Sequence, residues 1–257
     1  MLSIVVPTYN EKRNIPQLLK RIFKVLDDND IEGEVVIVDD NSPDGTADLA
    51  CKLKNKYNVQ VILRKNQRDF ASAVYTGIDK AKGDIFCVMD GDLSHPPEIL
   101  PIMFNKIDGG EAELVVGSRH VKGGGIENWP ASRKLVSKCA SLIARPLTNV
   151  KDPMSGFFML KKDVIDGVCL RTENYNKVCL EIIVKGNYNC VVEVPYIFRD
   201  REEGESKLDG KVIFNYLFHT LRLYFAKKGA SSKTEKLNLA SDGSSNQSSF
   251  DNGLKKC

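Results

Sequence analysis

Two carboxylates separated by one small residue, Asp90-Gly91-Asp92, stand at the end of an apolar run, Ile85-Phe-Cys-Val-Met89. Pro96-Pro97 follows shortly after and stops the strand that this run predicts. Alternation along a strand sends residues i and i+2 to one side, so both carboxylates are expected to face the same way. Hard oxygen ligands at that spacing suit a divalent cation and leave coordination positions open for phosphate oxygens. An Asp-x-Asp by itself is more often a pair of solvated loop carboxylates. The strand before it and the double proline after it favour a metal–diphosphate site.

The elements that must position this pair alternate in the first half of the chain. Residues 2–6 predict a strand and 14–26 a helix, with Ile15, Leu18, Leu19, Ile22, Phe23 and Leu26 at helical spacing. Strands follow at 34–38, 59–63, 85–89 and 114–117, and helices at 45–56 and 71–81. Short apolar strands joined by helices imply a mostly parallel central sheet with both faces covered, an α/β fold. Ligands of such sheets bind at the carboxyl ends of the strands. Polar groups gather on that edge: Pro7-Thr8-Tyr9-Asn10-Glu11, Asp39 to Thr46, Asp90 with Asp92, and Gly117-Ser118-Arg119. Turn and cap chemistry accounts for Asn41, Ser42, Pro43 and Gly45 but poorly for Tyr9, Glu11, Asp39 and Arg119.

Composition bounds the function classes. A 257-residue chain that is 28% charged and 42% apolar fits one large domain. Its net charge of +3 is too small and too dispersed to indicate nucleic acid. Seven cysteines form no CxxC pair, so reduced, buried thiols in a reducing compartment are expected. Met1 leads directly into a strand, so no signal peptide is expected, and no apolar run reaches the ~20 residues that span a bilayer. His95, His120 and His219 show no metal-ligand spacing.

The second half is less regular. Residues 121–129, with Gly123 to Gly125, predict a mobile glycine-rich loop, and 131–147 a helix with Arg133 and Ser137 one turn apart. A turn at 152–158 leads into a strand, 175–185 is helical, 190–195 is a strand and 199–207 a polar loop. Residues 211–225 are apolar apart from a narrow stripe of Lys211, Asn215, His219 and Arg222. Such a helix is about 22 Å long, short of the ~30 Å hydrocarbon core. It can pack on the sheet or lie in a membrane interface with Lys227 and Lys228 on head groups. Residues 1–228 are therefore expected to form one domain, with 211–228 an amphipathic C-terminal helix, and 229–257 a disordered polar tail.

These segments resemble the inverting family-2 glycosyltransferases of the GT-A (Rossmann-like) fold, and within them the dolichyl-phosphate (polyprenyl-phosphate) mannosyltransferases. The matching runs are Val5-Val-Pro-Thr-Tyr-Asn-Glu11, Val38-Asp-Asp-Asn-Ser-Pro-Asp-Gly-Thr46, Met89-Asp-Gly-Asp-Leu-Ser-His-Pro-Pro-Glu98, Gly117-Ser-Arg119, Asp152-Pro-Met-Ser-Gly-Phe-Phe158 and Phe198-Arg-Asp-Arg-Glu-Glu-Gly-Glu-Ser-Lys-Leu208. Gly91 departs from the alanine usual in the family's metal motif, and position 94 varies between Gln and Ser. Membrane helices that follow the catalytic domain in many prokaryotic relatives have no counterpart in this sequence.

The resemblance implies a metal-dependent enzyme that moves mannose from GDP-mannose to dolichyl or polyprenyl phosphate. Pro7, Tyr9, Glu11, Val38 and Asp40 would line the nucleotide pocket, with Asp39 as alternative to Asp40, and Asp90, Gly91, Asp92 and Lys207 would complete the nucleotide-sugar site. Asp92, with Asp90 and Ser94, would hold Mg²⁺ or Mn²⁺. Arg119, Arg133, Ser137 and Arg201 would bind the acceptor phosphate, and Asp92, Arg119 and Arg201 would carry the chemistry. Asp44, Asp152 and Glu181 are expected to be structural. A phosphate acceptor, with a second pKa near ~6, arrives ionised and needs no general base. Partners would be the membrane surface at the cytoplasmic face and a small membrane-anchoring subunit. The sequence does not settle the base, and no residue reads mannose against glucose, so a UDP-sugar donor such as UDP-glucose stays open. A catalytically silent nucleotide-sugar-binding scaffold is the rival from another class.

Overall fold

The computed structural model describes residues 1–168, 177–199, 220 and 222–224. Its elements run β1 (Leu2–Thr8), α1 (Ile15–Asp28), β2 (Gly33–Asp39), α2 (Thr46–Leu53), β3 (Val59–Leu63), α3 (Phe70–Lys80), β4 (Ile85–Val88), α4 (Leu100–Asp108) and β5 (Leu114–Ser118). Then come β6 (Gly125–Ile126), α5 (Ala131–Ile143), β7 (Phe158–Lys161), α6 (Val178–Lys185), β8 (Val191–Pro195) and β9 (Ile197–Phe198). Seven strands form one sheet in the order β3-β2-β1-β4-β7-β5-β8. All neighbours in it are parallel except β7, which runs antiparallel to both β4 and β5. The mostly parallel α/β sheet expected from the strand–helix alternation is the one observed.

The pleat sorts the strand residues into two cores. Leu2, Ile4 and Val6 of β1 face one way and pack with Leu18 and Ile22 of α1 and Leu100 and Met103 of α4. Val5, with Val36 and Val38 of β2, faces the other and meets Ala73 and Val74 of α3 and Ile182 of α6. Each fully buried Val, Leu or Ile contributes about 1.5–3 kcal/mol relative to exposure. Gly77 of α3 lets that helix lie close on the sheet, because a Cβ there would sit 2.3 Å from Val5 Cγ1.

The structure differs from the sequence expectations at three places. Helix α4 and the 3₁₀ turn before it, Pro97–Ile99, occupy a stretch to which the sequence assigned no element. Pro97 and Pro101 fall in first turns, where no backbone N–H is required. The glycine-rich segment at 121–129 contains β6, paired in parallel with β9. Helix α5 ends at Ile143, four residues before the expected boundary. Of the expected helix at 211–228, Thr220 and 222–224 are described; they are helical, and buried Leu223 packs with Ala144, Leu147 and Leu180. The rest of that segment, the loop from 200 to 207 and the tail at 229–257 lie outside the described residues, as do Arg201 and Lys207.

Candidate active site

The carboxyl ends of β1, β2 and β4 meet at a cleft of about 480 Å³. Pro7, Tyr9, Glu11, Asp40, Asp90, Gly91 and Asp92 line it, together with Arg68 and Asp69 from the loop after β3. Seven of the residues expected at a nucleotide-sugar site thus share one cavity. Val38 does not join them: it is fully buried in the core below, paired in register with Pro7. A larger cleft of about 1210 Å³ adjoins on the far side of Glu11 and Asp92 and takes in Ser94, Tyr196 and Arg199.

Strand alternation is not what aims Asp90 and Asp92. Strand β4 ends at Val88, so both carboxylates stand in the loop beyond it. Local contacts orient them instead. His95 Nδ1 accepts the Asp90 backbone N–H at 2.9 Å, and the His95 ring stacks on Phe157 at 5.0 Å. The Ser94 backbone N–H and hydroxyl both donate to Asp92 Oδ1, at 3.1 and 2.6 Å, across Leu93, whose φ is +66°. Gly91 packs against the end of β1, where an alanine Cβ would approach Thr8 Cγ2 to 3.3 Å. Gly156 brings the 152–158 turn against this loop, since a Cβ there would lie 3.2 Å from His95 Cε1 and 3.5 Å from both Asp90 carboxylate oxygens.

Asp90 keeps 28% of its side chain exposed, and Asp92 is nearly buried. Among the described residues no group of three His, Cys, Asp or Glu side chains could hold a metal ion. Two carboxylates on a shared cleft nevertheless fit a hard cation whose other ligands are diphosphate oxygens and water, the usual arrangement for Mg²⁺. Ser94, with its hydroxyl on Asp92, sits as an orienting neighbour of that pair.

The two acids that end β2 divide their roles by direction. Buried Asp39 accepts from Thr8 Oγ1 at 2.9 Å and from the Ser42 N–H and hydroxyl at 2.9 and 2.6 Å, tying β1 to the following loop. Asp40 faces the cleft and pairs with Arg64, Nε to Oδ1 at 2.7 Å, while the Asp69 N–H donates to Oδ2. Burial pushes the Asp40 carboxyl up from its ordinary value, and the bonds from Arg64 pull against it. Asp44 accepts from the Lys12 and Thr46 backbone N–H groups, the turn role expected of it.

On the other side of β4, Arg119 at the end of β5 is clamped. Its Nε and Nη2 reach Asp152 Oδ2 and Oδ1, both at 2.7 Å, and its backbone N–H donates to Oδ2 at 2.9 Å. Burial raises the Asp152 carboxyl, but the Arg119 bonds and charge outweigh it and hold the group below the usual range. Burial likewise works to lower the Arg119 guanidinium, and Asp152 reverses that, so it stays protonated. Arg133 of α5 lies over the Trp129 ring at 3.8 Å, which itself is 5.9 Å from the Arg119 guanidinium. Ser137 is a turn further along α5 and accepts the Ser141 hydroxyl at its carbonyl. Glu181 is buried away from the cleft, bonded by Tyr75 and Lys185.

Several residues at the site escaped the sequence reading. Arg64, Arg68 and Asp69 belong to the loop after β3, the one carboxyl-end loop on that edge of the first half that was passed over. His95 offered no metal spacing because its role is to accept a backbone bond. Lys177, whose ammonium is lowered by burial first and then by the Arg119 charge, lies close enough to feel Asp152 and Asp90.

Comparison with known proteins bears on the family and the fold. The model for glycosyl transferase family 2 matches residues 3–168. The chain is similar to the dolichol-phosphate mannosyltransferase of Pyrococcus furiosus, 47% identical over 86% of this chain and 63% of that protein. It is 40% identical to that of Saccharomyces cerevisiae, over 89% of this chain and 88% of the yeast protein, and 37% identical to that of Mycosarcoma maydis, over 86% and 78%. The chain thus spans less than two thirds of the Pyrococcus furiosus relative. Among solved structures, glucosyl-3-phosphoglycerate synthase from Mycobacterium tuberculosis, in complex with Mn²⁺, UDP-glucose and glycerol 3-phosphate, superposes with a TM-score of 0.62 at 16% identity, covering 89% of this chain and 80% of that one. That likeness is one of fold.

Proposed function

Because the chain belongs to glycosyl transferase family 2, we propose that it moves mannose from GDP-mannose to dolichyl or another polyprenyl phosphate, with inversion at the sugar carbon. The observation that supports this most is one cleft that holds both a nucleotide-sized cavity and the Asp90/Asp92 pair. Tyr9 offers a flat face for a base, and the carboxylates of Glu11 and Asp40 accept hydrogen bonds from base N–H or ribose hydroxyl groups. Asp90 and Asp92 would hold Mg²⁺ or Mn²⁺, with Ser94 and His95 keeping that loop in shape. A cation bound there would supply charge that neutralises the diphosphate leaving group.

Arg119 and Arg133 receive the acceptor phosphate. Asp152 uses two of the five guanidinium N–H groups of Arg119, and a phosphate takes others on a second edge. The Trp129 ring lies under the Arg133 guanidinium and steadies it through a cation–π contact. Ser137 and, on the strength of the sequence motif, Arg201 would join them, with Lys207 serving the nucleotide sugar. An acceptor that arrives ionised asks no residue to remove a proton.

The acceptor lives in a bilayer, and the exposed face of α5 suits its surface. Leu135 is 62% and Leu142 69% exposed, seven residues apart on one stripe with exposed Cys139 between them. Residues 131–145 carry Arg133, Lys134, Lys138 and Arg145 and no acid, which favours anionic head groups. Among the described residues no helix is long and apolar enough to cross a membrane. A small membrane-anchoring subunit would add to this contact.

The decisive experiment incubates the protein with labelled GDP-mannose, dolichyl phosphate and Mg²⁺ or Mn²⁺ and follows label into lipid. Lipid-linked mannose is expected. No transfer from GDP-mannose or any other common nucleotide sugar ends the reading, and transfer from UDP-glucose alone replaces the donor.

A further inference from the structure

We infer that Arg68 reads the base of the nucleotide donor and gives the cleft its preference for guanine over uracil. The inference rests on the nucleotide-sugar reading above and adds to it a residue that senses the base.

The loop between β3 and α3 carries two arginines with opposite fates. Arg64 is buried, and its guanidinium is committed: to Asp40 through Nε, to the Ser72 hydroxyl and Gln67 through Nη1, and to the Asp69 carbonyl through Nη2. Arg68 is exposed at the cleft mouth, and among the described residues its guanidinium holds no carboxylate. It lies over the Tyr9 ring instead, with Cζ 3.6 Å from the ring centroid. That is the contact distance of two stacked planar groups, and both residues line the nucleotide-sized cleft.

The position that Arg68 occupies is therefore the position a stacked base needs. A base that takes the Tyr9 face displaces the guanidinium sideways, and the side chain then meets the edge of the base. Guanine presents two adjacent acceptors there, O6 and N7, which match the paired N–H groups of an arginine fork. Uracil has no N7, and its O4 is flanked by an N–H donor, so the fork finds one partner at most. Neither lysine nor alanine reproduces a planar fork that can stack first and bond edgewise afterwards.

The test measures binding of GDP, UDP and 7-deaza-GDP, with Mn²⁺ present, to the full chain as wild type, Arg68→Ala and Arg68→Lys. Wild type should prefer GDP to both analogues. Arg68→Ala should weaken GDP by roughly 10- to 100-fold, the size of one bidentate base contact, and leave UDP within about 3-fold. Arg68→Lys should lose the preference as alanine does, and 7-deaza-GDP should bind wild type and Arg68→Ala alike. Both variants should melt with wild type, since the side chain is exposed. Equal losses for GDP and UDP would assign Arg68 to the phosphates and overturn the inference while leaving the donor reading intact. An unchanged GDP affinity overturns it as well. A wild type that binds UDP more tightly than GDP sinks the GDP-mannose reading and the inference together.

Discussion

Arg119 and Asp152 meet edge to edge, two parallel bonds of 2.7 Å between a guanidinium and a carboxylate that is wholly excluded from solvent. They come from the end of β5 and the turn before β7, so the pair links neighbouring strands as it orients the arginine. Removing one partner of a buried pair leaves the other charge uncompensated, which costs about 3–5 kcal/mol. Asp152→Asn should therefore lower the stability read from urea unfolding by that amount, and raise the KM for the lipid phosphate more than that for the donor. A variant as stable as wild type would mean that the pair contributes nothing net.

The same pair sets a pH dependence. The Asp152 carboxyl is held below its ordinary value of about 3.8 in the folded protein. Its contribution to stability is then complete above that unfolded value and is lost as pH falls through the lower, folded one. Unfolding free energies of wild type and Asp152→Asn should run a constant distance apart from neutral pH down to about 5 and converge below the ordinary carboxylate range. A gap that persists undiminished at pH 2 would contradict the assignment.

Asp92→Asn preserves the shape of the metal loop and removes the charge. With Mg²⁺ or Mn²⁺ supplied, turnover should drop by about 10³-fold or more, several kcal/mol of lost leaving-group stabilisation. Nucleotide affinity should also cease to depend on the added cation, which calorimetry with and without Mn²⁺ would register. Near-normal turnover would place the cation elsewhere.

Membrane contact through α5 is open to a direct measurement. Wild type should sediment with anionic vesicles, and a Leu135→Glu/Leu142→Glu double variant should stay largely in the supernatant with an unchanged circular dichroism spectrum. Both side chains are exposed, so neither change opens a cavity. Equal sedimentation would move the contact to another surface.

Gly77→Ala probes the sheet–helix seam away from all chemistry. Alanine improves helix propensity by about 1 kcal/mol. Its Cβ would nonetheless lie 2.3 Å from Val5 Cγ1 and 3.1 Å from Val38 Cγ2, two branched side chains in a packed core. Overpacking of this kind costs about 1–3 kcal/mol, and here more than the propensity gain. Thermal unfolding should show a lower midpoint, with the nucleotide affinity within about 3-fold of wild type.

Periodicity in the amino-acid sequence determined the strand–helix alternation of residues 2–118, because burial on a pleat or a helix face needs the apolar residues that lie there. With the alternation came the parallel sheet, and with the sheet the edge on which Tyr9, Asp40, Asp90, Asp92 and Arg119 had to lie. Helix α4 had no counterpart in the sequence reading; it carries Pro101 in its first turn, where a proline breaks nothing. What only the tertiary structure decided were contacts between residues distant in the chain, which no local pattern encodes. Asp152 closes on Arg119 across 33 positions, and Gly156 presses the same turn against His95 and Asp90. Asp39 and Asp40 are adjacent acids on paper, yet one ties β1 to its loop and the other faces the cleft, since neighbours on a strand point to opposite sides. Arg64 and Arg68 likewise differ by burial alone: the buried fork must satisfy its donors on protein, and the exposed one can lie on Tyr9, available to a ligand.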